Sequence, residues 1–108
     1  MHLENDQGVT IGDDVTIGHK AIIHGCDIKD GALIGMGSII MNGATIGKGA
    51  VIGAGAVVTE NMLVPDLALV IGVPGKIIKT LPPETFQNNV NWARKYVQLA
   101  NIHKAKDN

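Results

Sequence analysis

The chain has 108 residues, ten acidic side chains against nine Lys and Arg, and a net charge of −1. That length fits one small domain, and a near-neutral balance with no basic patch argues against nucleic-acid binding. The single Cys26 excludes an intrachain disulfide framework and suits a reducing compartment. No apolar run approaches the roughly 20 residues of a membrane helix, and no secretory leader is legible, so a cytoplasmic protein without membrane contact is expected.

In chain order, Met1-His2-Leu3 is a short apolar start, Glu4 to Gly8 a polar turn, and Val9-Thr10 the entry to a strand. From Ile11 to Val58 a branched apolar residue then returns every six positions, usually followed by Gly. Six is neither a helical nor an alternating-strand period. It is the period of a parallel β-helix built from hexapeptides. Ile11, Ile17, Ile23, Ile28, Ile34, Ile40, Ile46, Ile52 and Val58 are expected to point into a narrow triangular prism. Val15, Ala21, Ala32, Ser38, Ala44, Ala50 and Ala56 would fill the second inward site. Three hexads make a coil, so equivalent side chains stack in ladders about 4.8 Å apart. Gly12, Gly18, Gly35, Gly47 and Gly53 are expected to relieve the backbone at the turns.

The unit that begins at Ile23, Ile23-His24-Gly25-Cys26-Asp27, is one residue short. After Val58 the period is expected to fail: Thr59 to Asp66 reads as a loop, Leu67 to Gly72 as a return strand, and Val73 to Lys76 as a turn. From Pro83 to about His103 the spacing of Phe86, Val90, Ala93, Val97 and Ala100 predicts an amphipathic helix, with Trp92, Tyr96 and Leu99 widening its stripe. Pro82-Pro83 marks its start, and Glu84 suits the positive end of its dipole. The reading divides the chain into a β-helix over residues 1–80 and a helix and tail over 81–108 that packs on the prism. Fewer than three coils precede the break in period. An open end of such a stack exposes apolar ladders, so the N-terminal end is expected to be covered by a partner chain, or the chain to be a truncated form of a longer β-helix.

His2, His19 and His24 are the chemical candidates. His19 takes an outward position in its hexad, and His24 stands in the shortened one. Five residues apart on a β-helix, they lie around one corner rather than on one face. Two adjacent chains could bring them together where one chain could not, and a triangular prism makes a threefold arrangement natural. His2 precedes His19 by 17 residues, about one coil. Three imidazoles with one open position describe a catalytic divalent-metal site; zinc, cobalt and iron(II) all suit it. The plainer reading makes both histidines ordinary turn residues. Cys26 reads as a small buried apolar residue, and Met36 and Met41 as packing.

The segments GDDVTIGHKAIIHGC, IGMGSI and IGVPGK resemble the γ-class carbonic anhydrase-like proteins of the left-handed hexapeptide β-helix superfamily. GHxxxxHGC is the specific part. The resemblance implies a homotrimer that binds zinc or another divalent metal at each interface, with His2 and His24 from one subunit and His19 from the next. It implies reversible CO2 hydration, in which a metal-bound hydroxide attacks CO2 and bicarbonate leaves. Glu4 stands one position off the family's proton-shuttle Glu, and Tyr96 and Gln98 match a helix segment that reaches the metal pocket. Family members carry several coils before their first metal-binding His, with an Arg-Gly-Asp segment and a Gln-Asp pair that this sequence lacks. A carbonic anhydrase-like lyase is the favoured reading. Two other readings stand beside it. One is an acyl-coenzyme A-dependent hexapeptide acyltransferase, with His19 as general base and Gly75-Lys76 near the donor. The other is a non-catalytic trimeric module with a structural metal.

Overall fold

A computed structural model describes residues 8–107, with side chains from 8 to 97. His2 and Glu4 lie outside the described residues, as does the side chain of Gln98. The chain folds as a parallel β-helix closed by one C-terminal helix. Three faces are stacked from every third strand. The first holds β1 (Thr10–Ile11), β4 (Asp27–Ile28), β7 (Thr45–Ile46) and β10 (Leu63–Val64). The second holds β2 (Thr16–Ile17), β5 (Leu33–Ile34), β8 (Val51–Ile52) and β11 (Ala68–Ile71). Its edge is β12 (Lys76–Thr80), antiparallel to β11. The third holds β3 (Ile22–Ile23), β6 (Ile39–Ile40) and β9 (Val57–Val58).

The second residue of each two-residue strand turns inward. Ile28, Ile34, Ile40, Ile46, Ile52 and Val58 are fully buried, and Ala32, Ser38, Ala44, Ala50 and Ala56 fill the companion site. The first coil is looser: Ile11 is 46% and Ile17 40% exposed. Strand pairing does not stop at Val58. β10 lies inside the segment expected to be a loop, and Val64 and Val70 continue the inward ladders, both buried. That hexad was hidden because Pro65, not Gly, follows its inward residue.

The turns rest on a different set of glycines from the expected one. Left-handed backbone falls at Asp14, Gly31, Gly49 and Leu67 on one corner, at Lys20, Gly37 and Gly55 on the next, and at Gly43 and Asn61 on the third. Gly35, by contrast, is needed for close approach between coils: a Cβ there would lie 2.6 Å from both Ala54 N and Ile52 O. Backbone cannot yield as a flexible side chain does. Gly35→Ala is expected to cost about 2–3 kcal/mol, in the range of overpacked cores. Gly37→Ala has open space and meets only the left-handed penalty of about 1–2 kcal/mol. Urea unfolding of the two variants checks the order.

The short unit changes the coil length. The first coil pairs Thr10 with Asp27, a step of 17 residues, whereas Asp27 pairs with Thr45, a step of 18. At the corner after β3, Gly25 alone stands where Asn42 and Gly43 stand one coil on. Its N–H donates to Asn42 Oδ1 at 3.0 Å, and its carbonyl accepts from Gly43 N at 2.7 Å. One deleted residue therefore tightens that corner without breaking the ladder.

Helix α1 (Glu84–Asp107) runs back along the corner between the first and second faces. Phe86 packs over Gly31 and Gly49, and Val90 over Gly31. Asn89 Nδ2 donates to Gly49 O at 3.3 Å, and Arg94 reaches Asp14 at 3.3 Å in the first coil. The buried face is Asn89, Val90 and Ala93, whereas Val97, expected in the stripe, is 60% exposed. Trp92 and Tyr96 are half exposed. No described helix is long and apolar enough to cross a membrane.

Candidate metal centre

Both repeat histidines are set by the ends of one strand. His19 occupies the turn before β3, and His24 follows β3 directly. Backbone hydrogen bonds hold each in register with the coil above: His19 O accepts from Gly37 N at 2.9 Å, and His24 N donates to Ile40 O at 2.9 Å. Both side chains are exposed, so neither is a core histidine. They sit on two different corners, with the outer side of the third face between them. That side presents Ile22, Ile39 and Val57, of which Ile22 is 51% exposed.

Exposed imidazoles are suitable donors for a borderline divalent ion. Yet the described residues of one chain bring no three His, Cys, Asp or Glu together. Among the described residues of one chain the donor set is therefore incomplete, and a metal would need donors from outside them.

His19 also lines a groove of about 200 Å³ between β2 and α1. Thr16 and Val15 form its floor, and Ala93, Tyr96 and Val97 its helical wall. Tyr96 thus shares a surface with His19, while its ring meets Trp92 edge to face at 5.7 Å. Thr16 Oγ1, buried in this region, has no hydrogen-bond partner among the described residues. The groove joins residues some 80 positions apart, and only the helical stripe hinted at it.

Cys26 is buried in the companion ladder, one coil below Ala44. Burial, aided by the neighbouring Asp27 carboxylate, pushes its thiol up to about 11. A thiol held protonated at neutral pH is a poor metal ligand and nucleophile, in keeping with a packing role. Met36 departs from the expected packing: it is 62% exposed on the corner directly above His19.

Similarity to known proteins follows this geometry. A family model described as Bacterial transferase hexapeptide (six repeats) matches residues 25–60. A Methanocaldococcus jannaschii protein named as a probable carbonic anhydrase is 45% identical over 100 residues, covering 93% of this chain and 63% of that one. The mitochondrial Gamma carbonic anhydrase 2 of Arabidopsis thaliana is 37% identical, over 90% of this chain and 35% of its own length. The chain therefore spans less than two thirds of these curated relatives. A solved hexapeptide transferase family protein from Anaplasma phagocytophilum superposes with a TM-score of 0.81 at 33% identity, covering 86% of this chain and 56% of that one. Repeat, fold and relatives agree: the chain is a hexapeptide-repeat β-helix protein, and it is similar to γ-class carbonic anhydrases.

Proposed function

We propose that the protein is a homotrimer that holds a divalent metal at each subunit interface and hydrates CO2 reversibly to bicarbonate. His19 of one subunit meets His24, with His2, of the next. The observation that carries this reading is the placement of two exposed imidazoles on separate corners, flanking the apolar outer side of the third face. Burying Ile22, Ile39 and Val57 against a second copy would bring one chain's His19 corner to its neighbour's His24 corner. Zinc is the favoured ion, with cobalt or iron(II) as substitutes for the same donors. A divalent ion held there would supply a water nucleophile activated near neutral pH. The chain's own residues do the rest. The imidazoles of His19, His24 and His2 would hold and position the ion, and the apolar side of the third face would keep bulk water from the interface. In this reading Tyr96, which lines the groove beside His19, orients a small polar substrate.

Metal analysis of protein purified without added metal, combined with light-scattering mass, tests this reading. About one metal per chain in a particle of three chains is expected. A metal-free monomer at micromolar concentration contradicts it. The similarity to a hexapeptide transferase structure supports a second reading, an acyl-coenzyme A-dependent transferase with His19 as general base. In that case CO2 hydration is absent, and acetyl-coenzyme A raises the melting temperature of metal-free protein.

A further inference from the structure

The coil above the two histidines repeats their geometry with a different side chain. Strand register pairs Ile22 with Ile39 and Ile23 with Ile40. Met36 therefore stands one coil beyond His19 on the same corner, and Met41 one coil beyond His24. Gly18 lies so close under Met36 that a Cβ would sit 2.6 Å from Met36 N, which ties the two turns together. Met36 is 62% exposed, a large apolar side chain left on the surface at a corner where a small residue, Ala54, suffices in the next coil. Met41 is half-buried at the other corner. The exposed apolar strip of Ile22, Ile39 and Val57 runs between them. A thioether on an exposed corner is adaptable contact surface.

We propose that Met36 of one subunit packs against Met41 of its neighbour, as an apolar roof over the shared metal site. The inference rests on the interface placed between the His19 and His24 corners. If those corners meet with the two prisms side by side and parallel, the corners one coil along, about 4.8 Å further, meet as well. The occupant of the Met36 surface is thus a second copy of this chain. The roof excludes water from the coil-two side of the metal and adds apolar contact to the interface.

Cysteine cross-linking of the full chain tests the contact. In the Met36→Cys, Met41→Cys double variant, oxidation with diamide removes two protons and two electrons from a thiol pair. The expected product is a ladder of covalent dimers and trimers on a non-reducing gel. Each single variant stays monomeric on the gel, because its one new thiol has no partner. Positions 36 and 41 lie at opposite ends of β6 on separate corners, so an intrachain bond does not compete. A second readout follows the metal. Met36→Gln keeps the length of the side chain but makes it polar, and is expected to speed metal loss to a chelator about tenfold. Monomers only from the double variant, with metal loss unchanged in Met36→Gln, overturn the roof. If His19→Ala still holds its metal, the interface reading fails instead, and the cross-link still reports whether Met36 and Met41 meet.

Discussion

His19→Ala and His24→Ala variants, purified separately, are expected to contain no stoichiometric metal while folding like the parent. His19 sits in a turn and His24 just past the end of β3; each has its side chain exposed and contributes its register through backbone atoms, which alanine keeps. Neither belongs to the buried ladders. Loss of one imidazole leaves two ligands for an ion that needs at least three protein donors to remain bound in an open site. Elemental analysis reads the metal, and far-ultraviolet circular dichroism reads the fold. Full metal content in either variant would refute the ligand assignment.

Ile34→Ala is expected to destabilise the protein by about 3–5 kcal/mol, the range for large-to-small changes in a rigid core. Ile34 is fully buried and sits in the ladder Ile17, Ile34, Ile52, Val70, with packed neighbours above and below. The coils are pinned by hydrogen bonds along every face, so the prism cannot collapse into the space. Ile11 offers the contrast. It holds the equivalent inward position in the first coil but is 46% exposed, and Ile11→Ala should cost about 1 kcal/mol or less. Equal losses at the two positions in urea unfolding would show that burial in the prism is not what sets stability.

The inward ladders were legible because a narrow prism demands a branched residue at every sixth position and little else. Two features escaped for physical reasons. Left-handed backbone is tolerated at Asp14, Lys20, Asn61 and Leu67, so glycine does not mark every turn. The glycines that follow the inward isoleucines instead serve close approach between coils. The hexad around Val64 likewise lacks the glycine signal yet pairs as regularly as the rest. On the helix, Asn89 is buried because its amide meets the Gly49 carbonyl, a partner that spacing cannot supply. At the site, spacing singled out His19 and His24 but set them around one corner; because the whole of β3 lies between them, they occupy the two corners that flank the third face. The groove beside His19 depends on the helix packing across the first coil. The exposure of Met36 depends on what does not cover it. Neither is written in a local pattern.

The claim that a metal is shared between chains is tested most directly by mixing two defective variants. His19→Ala retains a working His24 corner, and His24→Ala retains a working His19 corner. Co-expressed in equal amounts and purified together, they are expected to recover about a quarter of the parent's metal, since random assembly gives that fraction of interfaces both intact corners. If the histidines acted within one chain, every chain would still be defective and the mixture would hold no metal. That result would contradict the account.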